Sequence, residues 1–473
     1  MTRNNRASHP YIPNTVPEVQ EAMLREIGIS DVEELYVSIP QQLRLRKPMN
    51  LPPALAEYEL QRHIERVTSR NVSSREAVSF LGGGCWQHFI PAVCDEIGQR
   101  SEFVTAYAGE PYEDHGRFQA LFEYQSLMAE LLDMDVVNVP TFDWAQAAAT
   151  ALRMAGRMTE RKRVLIAGSV SADKLRIIVN YCHPQVEVQS IAFDGATGLM
   201  DLNDLETKLS PDVAAVYFEN PGYMGMIEHQ GRTIADMAHR AGAECVVGVD
   251  PSSLGVLAPP SAYGADIVCG DLQPLGIRMN YGGGQAGFIA TRDEPRYVME
   301  YPSRLFGIAP TSVDGEYGFG DVAYERTSFA LREKGKESVG TQTALWGIVA
   351  GVYLALMGPY GMQELGTTIM QKSQYAANRL TAIPGVHMRF GASYFKEFVL
   401  DLNGTGMTVK TVNEQLLEAG IFGGKDLSEE FPELGQCALY CVTEVISQEE
   451  IDRLADALSA IIAQAAANGD KEA

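Results

Sequence analysis

The stretch "ADIVCGDLQPLGIRMNYGGG", residues 265–284, opens as an apolar strand, turns through a polar corner and ends in a glycine cluster. Upstream lie more short, β-branched runs: "RVLIAG" (163–168), "VEVQSIAF" (186–193), "VAAVYFEN" (213–220) and "ECVVGVD" (244–250). Helical stretches such as "RTIADMAHRAG" separate some of them. Strands that are apolar throughout and alternate with helices predict a mostly parallel sheet covered on both faces, an α/β fold. Ligands in such sheets collect beyond the strand carboxyl ends. Three of those ends carry polar groups here: Asn220, Asp250, and Asp271 with Gln273.

Outward from this core the pattern changes twice. Residues 1–75 read as short helices broken by prolines, with too little apolar surface for a core of their own. They are expected to form an arm that wraps the body and a partner. Residues 76–330 form the large domain. After it, "TQTALWGIVAGVYLALM" (341–357) and "GMQELGTTIMQKSQYAANRL" (361–380) read as helices. The strands "VHMRF", "EFVLDL" and "CALYCVTEV" follow, then a closing helix with Ser447 and Glu450 as a capping box. Residues 331–473 are therefore expected to be a smaller α+β domain.

Composition removes several classes of function. With 38 basic and 61 acidic residues, the net charge is −23. Nucleic acid and anionic membrane surfaces both need clustered Lys and Arg. The first residues lack the apolar segment of a secretory signal, and no apolar run reaches the ~18 residues of a membrane span. Seven cysteines without CxxC or Cys/His spacing point to reduced thiols, a cytoplasmic location and no structural metal.

Two stretches are candidate sites. A carboxylate at a strand end, with a lysine one strand later, is the layout of pyridoxal phosphate (PLP) enzymes of the aspartate-aminotransferase class. There the acid stabilises the protonated ring nitrogen and the amine forms an imine. Asp250 is in place, but no lysine occurs between Lys208 and Lys334. Neither Gln273 nor Arg278 can supply a primary amine, so this chain is not expected to hold PLP covalently. The alternative is that Asp250 is an ordinary loop carboxylate and the glycines form a turn. The second candidate is "FLGGGCWQHFIPAV" (80–93) with "SEFVTAYAGEPYEDHGRFQALFEYQ" (101–125). Its loops gather Trp86, His88, Tyr107, Tyr112, Glu113 and His115, either as pocket-lining groups or as aromatic packing with satisfied histidines. Cys85 is either a reactive thiol near His88 or a buried, inert one.

Further stretches carry a resemblance to a known family. "YIPNT" (11–15), "IPQQLRLRKPMNLPPALAEYEL" (39–60), "FLGGGCWQHFIPAV" (80–93) and "QALFEYQSLMAELLDMDV" (119–136) are similar to the first subunit of two-chain glycine decarboxylase, the P-protein of the glycine cleavage system. So are "DPSSLGVLAPPSAYGADIVCGDLQPLGI" (250–277) and "FPELGQCALYCVTE" (431–444). The resemblance runs nearly end to end. It implies a PLP-dependent transferase fold (aspartate-aminotransferase-like, fold type I), paired in an α2β2 heterotetramer with a homologous chain that carries the Schiff-base lysine. Gln273 then stands at the lysine position, and Gln273 and Asp250 are vestigial. The implied activity is that of a glycine dehydrogenase (aminomethyl-transferring): glycine loses CO2, and its aminomethyl carbon passes to the lipoyl group of the H-protein. The resemblance also implies that this chain completes the partner's pocket from its N-terminal loops. Tyr107, Glu113 and His115 are the candidate catalytic groups there, and Trp86, His88 and Tyr112 the candidate substrate contacts.

The sequence departs from the family pattern in its loops. Trp86 and Gln87 replace a tyrosine-aspartate pair, and Trp144 replaces a glycine. Tyr112 stands for a glutamate and His115 for a glutamine. "GKESVGTQ" (335–342) replaces "ATSNICTNQ". These changes leave two further readings open: the same assembly acting on another amino acid or in another PLP-dependent reaction, and a non-catalytic scaffold subunit.

Overall fold

The runs Val213–Glu219, Glu244–Val249 and Ile267–Asp271 are strands buried at every residue, as segments without polar alternation must be. In the computed structural model, which describes residues 11–45, 47, 49–104, 115–337 and 342–472, they lie at the centre of a seven-stranded sheet. The strand order is Val136–Val137, Gly287–Thr291, Ile267–Asp271, Glu244–Val249, Val213–Glu219, Arg163–Ala167, Glu187–Ile191. The last five are mutually parallel, and the first two add antiparallel at one edge. The order reverses between Arg163–Ala167 and Val213–Glu219, which places the switch-point crevice beside Glu219 and Asp250.

The helix Trp144–Thr159 lies along this sheet. Its alanines 147, 148, 151 and 155 are fully buried, and their small side chains permit close approach to the strands. A separate core cluster joins Tyr124, Met128 and Leu132 to Val249, Val268 and Phe288, and to Val349 and Tyr353.

The smaller domain has a four-stranded antiparallel sheet in the order His387–Met388, Glu397–Asp401, Cys437–Cys441, Lys425–Asp426. The closing helix begins as expected: Ser447 Oγ accepts from Glu450 N at 3.1 Å, and Glu450 Oε2 accepts from Ser447 N at 2.7 Å. The large-domain turn at Gly225 docks directly onto this sheet. Gly225 has φ +89°, and a Cβ there would stand 1.8 Å from the carbonyl oxygen of Glu397. Only glycine permits that approach, which brings Lys396 against the strand ends of the large domain.

The sequence showed no apolar run of membrane-span length, yet Ala344–Thr381 is long and apolar enough to cross a membrane by length and composition. It is not one continuous rod. Gly358, at φ 58° and ψ −176°, and Pro359 break it into the two helices read from the sequence. The first half packs against His115–Leu132 and the second against the closing helix.

Chain contacts divide the protein into residues 1–71 and 72–473. Among the described residues of the first unit none is buried; Leu51, Tyr58 and Leu45 are among its exposed apolar side chains.

Candidate functional site

The crevice at the strand ends is lined by Trp86, Trp144, Lys174, Glu219, Asp250 and Lys396, with Glu397 at its edge. About 20 Å³ of it remains free, room for roughly one water molecule.

Two lysines fill the centre, and each is held in the same way, between a carboxylate and an indole face. Lys396 Nζ lies 2.7 Å from Asp250 Oδ2 and 3.5 Å from the centroid of the Trp86 ring. Lys174 Nζ lies 2.6 Å from Glu219 Oε1 and 3.6 Å from the Trp144 ring. Desolvated cations are drawn to ring faces at such distances. The second cluster closes on itself: Trp144 Nε1 donates to Tyr217 Oη at 3.1 Å, and Tyr217 donates to Glu219 at 2.8 Å. Asp250 also accepts from the Ser252 amide and hydroxyl, at 3.0 and 2.8 Å.

Gln273 is 1% exposed, and its amide is fully engaged. Oε1 accepts from Trp86 N at 2.9 Å, while Nε2 donates to Trp86 O at 2.8 Å and to Ile277 O at 3.1 Å. The side chain therefore clamps the 80–93 loop to the large domain. Small-domain groups grip the same loop from the other side. Glu397 accepts from Gly83 N at 2.6 Å, Thr443 donates to Gln87 O at 2.5 Å, and Glu444 accepts from Phe89 N at 2.7 Å.

The helix beginning at Trp144 offers an N-terminus at the crevice, the usual place for a phosphate. Its amides are already taken by acids. Asp143 caps Gln146 N at 2.7 Å, and Asp271 Oδ2 accepts from Trp144 N at 3.2 Å. Burial pushes the Asp271 carboxyl up to about 7; the amides of Gln273 and Ala286 oppose this and Asp143 adds to it. An acid whose folded-state pKa is raised holds its proton more tightly in the native chain. It therefore adds stability at low pH that is lost as pH rises from about 4 to about 7. Asp271→Asn removes this dependence. The wild-type stability minus that of the variant is expected to fall across that window, by an amount of order 4 kcal/mol at most. Urea titrations at stepped pH measure it, and a flat difference contradicts the burial of this acid.

The residues of this crevice do not fit PLP. Gln273 provides no amine, Asp250 is neutralised by Lys396, the helix N-terminus faces two carboxylates, and Trp144 with Lys174 fills the space between.

The expected site residues separate. Tyr107, Tyr112 and Glu113 lie outside the described residues, and His115 is described only as the first residue of the helix His115–Leu132. Trp86 and His88 are buried within this chain. His88 Nδ1 is 2.8 Å from Glu444 Oε2, and its Nε2 is 3.3 Å from Lys396 Nζ. Both ring nitrogens are thus occupied internally. Cys85 is the inert alternative: its Sγ contacts Met279 O, and burial with Asp271 nearby pushes the thiol up to about 11. Lys174, Lys396, Glu219, Glu397 and Glu444 were not anticipated. The available signal was a lysine and a glutamate, Lys396 and Glu397, placed directly before the apolar run "FVL".

The sequence profile of the family described as "Glycine cleavage system P-protein" matches residues 9–458. A relative from Staphylothermus marinus, named "Probable glycine dehydrogenase (decarboxylating) subunit 1", is 39% identical over 96% of this chain and 98% of its own length. A Geobacillus kaustophilus protein of the same name is 38% identical over 95% and 98%. Among solved structures, an inhibitor-bound glycine decarboxylase (P-protein) of the glycine cleavage system superposes with a TM-score of 0.82. It is 31% identical and covers 94% of this chain and 98% of that one. The sphingosine-1-phosphate lyase Bpss2021 of Burkholderia pseudomallei shares the fold alone, with a TM-score of 0.66 at 14% identity over 92% and 97% of the two chains. The chain belongs to the glycine cleavage system P-protein family.

Proposed function

We infer that this chain is the lysine-less subunit of a two-chain, PLP-dependent glycine decarboxylase, and that a homologous second chain supplies the amine that anchors the cofactor. The observation that carries this reading is Gln273. A buried amide stands at the strand-end position that needs an amine, with its donors and acceptor spent on the 80–93 loop. The relatives' designation as "subunit 1" supports a second subunit. An α2β2 assembly, a lipoyl H-protein as acceptor of the aminomethyl group and a cytoplasmic location complete the proposal. The seven free cysteines are consistent with the last.

The chain's contribution to turnover is structural and local. Its loops exclude water from the shared pocket and present Tyr107, Glu113 and His115 there, Tyr107 as a hydrogen-bonding group and His115 as a proton-handling one. Trp86 and Trp144, two of the departures from the family pattern, line this chain's own crevice. The remaining departures from the family pattern, at Gln87, Tyr112, His115 and 335–342, are the positions left for a change of substrate.

The test is exchange of bicarbonate into the carboxyl group of glycine by the purified two-chain complex. Wild type is expected to be active with glycine. Tyr107→Phe and His115→Ala are expected to lose at least about tenfold in rate, the scale of a positioned proton-handling group, with assembly intact. Unchanged rates in both variants would establish a scaffold; exchange into another amino acid but not glycine would establish an altered substrate.

A further inference from the structure

The small domain reaches the crevice through one cation. Lys396 is 2% exposed, sits one residue before the strand Glu397–Asp401, and meets large-domain Asp250 across the domain boundary. Its three N–H groups face three acceptors: Asp250 Oδ2 at 2.7 Å, His88 Nε2 at 3.3 Å and Ser252 Oγ at 3.4 Å. The Trp86 ring covers its remaining side. With Lys396 as donor at Nε2, the Nδ1 proton of His88 belongs to the bond with Glu444, and Glu444 also holds the Phe89 amide. A continuous series, Glu444–His88–Lys396–Asp250, thus crosses from one domain to the other and passes through the 86–89 segment.

We propose that Lys396 is a positioning residue: its ammonium, held against Asp250, fixes through Trp86 and His88 the shape of the 86–89 segment, on which turnover by the assembled enzyme depends. Lys396 sits as a keystone. Gln273 and Glu444 anchor the backbone of the segment at its two ends, through bonds that involve neither the Trp86 ring nor His88 Nε2. Lys396 is the described cation that contacts both side chains. Its role is distinct from neutralising Asp250, because a neutral pair at 250 and 396 satisfies the charge and leaves Trp86 and His88 without their common partner.

That distinction sets the experiment. The proposal rests on the reading above for its link to turnover, so it is tested by two readouts in the full chain assembled with its lysine-bearing partner. Lys396→Met and the pair Lys396→Met with Asp250→Asn are compared with wild type for melting temperature, amide hydrogen exchange at residues 86–89, and kcat/KM for glycine. The single variant is expected to melt lower, whereas the double variant recovers most of the melting temperature. Exchange at residues 86–89 is expected to remain at least about tenfold faster than wild type in both. The value of kcat/KM is expected to stay at least about tenfold lower in both, with Lys396→Arg partly restoring it. Wild-type exchange at 86–89 in the double variant overturns the proposal, whatever the turnover. Faster exchange there with a wild-type complex inactive on glycine keeps the positioning role and overturns the functional reading.

Discussion

Asp250→Ala is expected to lower the unfolding free energy of the chain by about 3–5 kcal/mol, the size found when one partner of a buried ion pair is removed. The side chains of Lys396 and Asp250 are 3% and 5% exposed, so the ammonium cannot turn to solvent when its counter-ion is lost. His88 and Ser252 offer it only neutral acceptors, and the Trp86 ring offers a face. Guanidinium unfolding with an unchanged dependence on denaturant measures the loss. A loss below about 1 kcal/mol would match a solvent-screened pair and contradict the closed crevice.

Gln273→Leu is expected to cost roughly 3–9 kcal/mol, because it strands the amide and carbonyl of Trp86 and the carbonyl of Ile277, each worth about 1–3 kcal/mol when buried without a partner. In the complex, glycine turnover should fall with it, since the 80–93 loop loses its large-domain anchor. Gln273→Lys is the sharper variant. A lysine amine can donate to Trp86 O but cannot accept from Trp86 N, so stability falls here as well. Restoring an amine at this position is not expected to create a cofactor site. Lys396 still neutralises Asp250, and Asp143 and Asp271 still face the helix N-terminus. After incubation with PLP and dialysis, the isolated variant should show no visible absorbance. A stable yellow protein would mean that the missing amine was the only obstacle.

Much of the scaffold was legible because it is local. Short, mostly apolar runs such as 213–219 and 244–249, alternating with helical stretches, read as strands buried on both faces, and the Ser447/Glu450 cap depends on residues three apart. The vacancy at Gln273 was legible for the same reason: a residue type is either present in an interval or it is not. What fills the crevice was not legible. Lys174 meets Glu219 and Trp144, and Lys396 meets Asp250 and Trp86, only after strands and domains have assembled. No periodicity joins residue 86 to residue 396. The two tryptophans were visible as departures from the family pattern, but their partners were not. Their pairing with the two lysines gives both a place inside this chain. The break at Gly358 and Pro359 was legible as well, as the gap between the helices read at 341–357 and 361–380.

In the proposed function the electrophile used by the assembled enzyme is anchored outside this polypeptide. Borohydride reduction in the presence of PLP, followed by peptide mass mapping, tests it on the chain alone and on the two-chain complex. A single reduced adduct is expected in the complex, on a lysine of the second chain, and none at Lys174 or Lys396 here. A stoichiometric adduct on either of those two lysines in the isolated chain would contradict it.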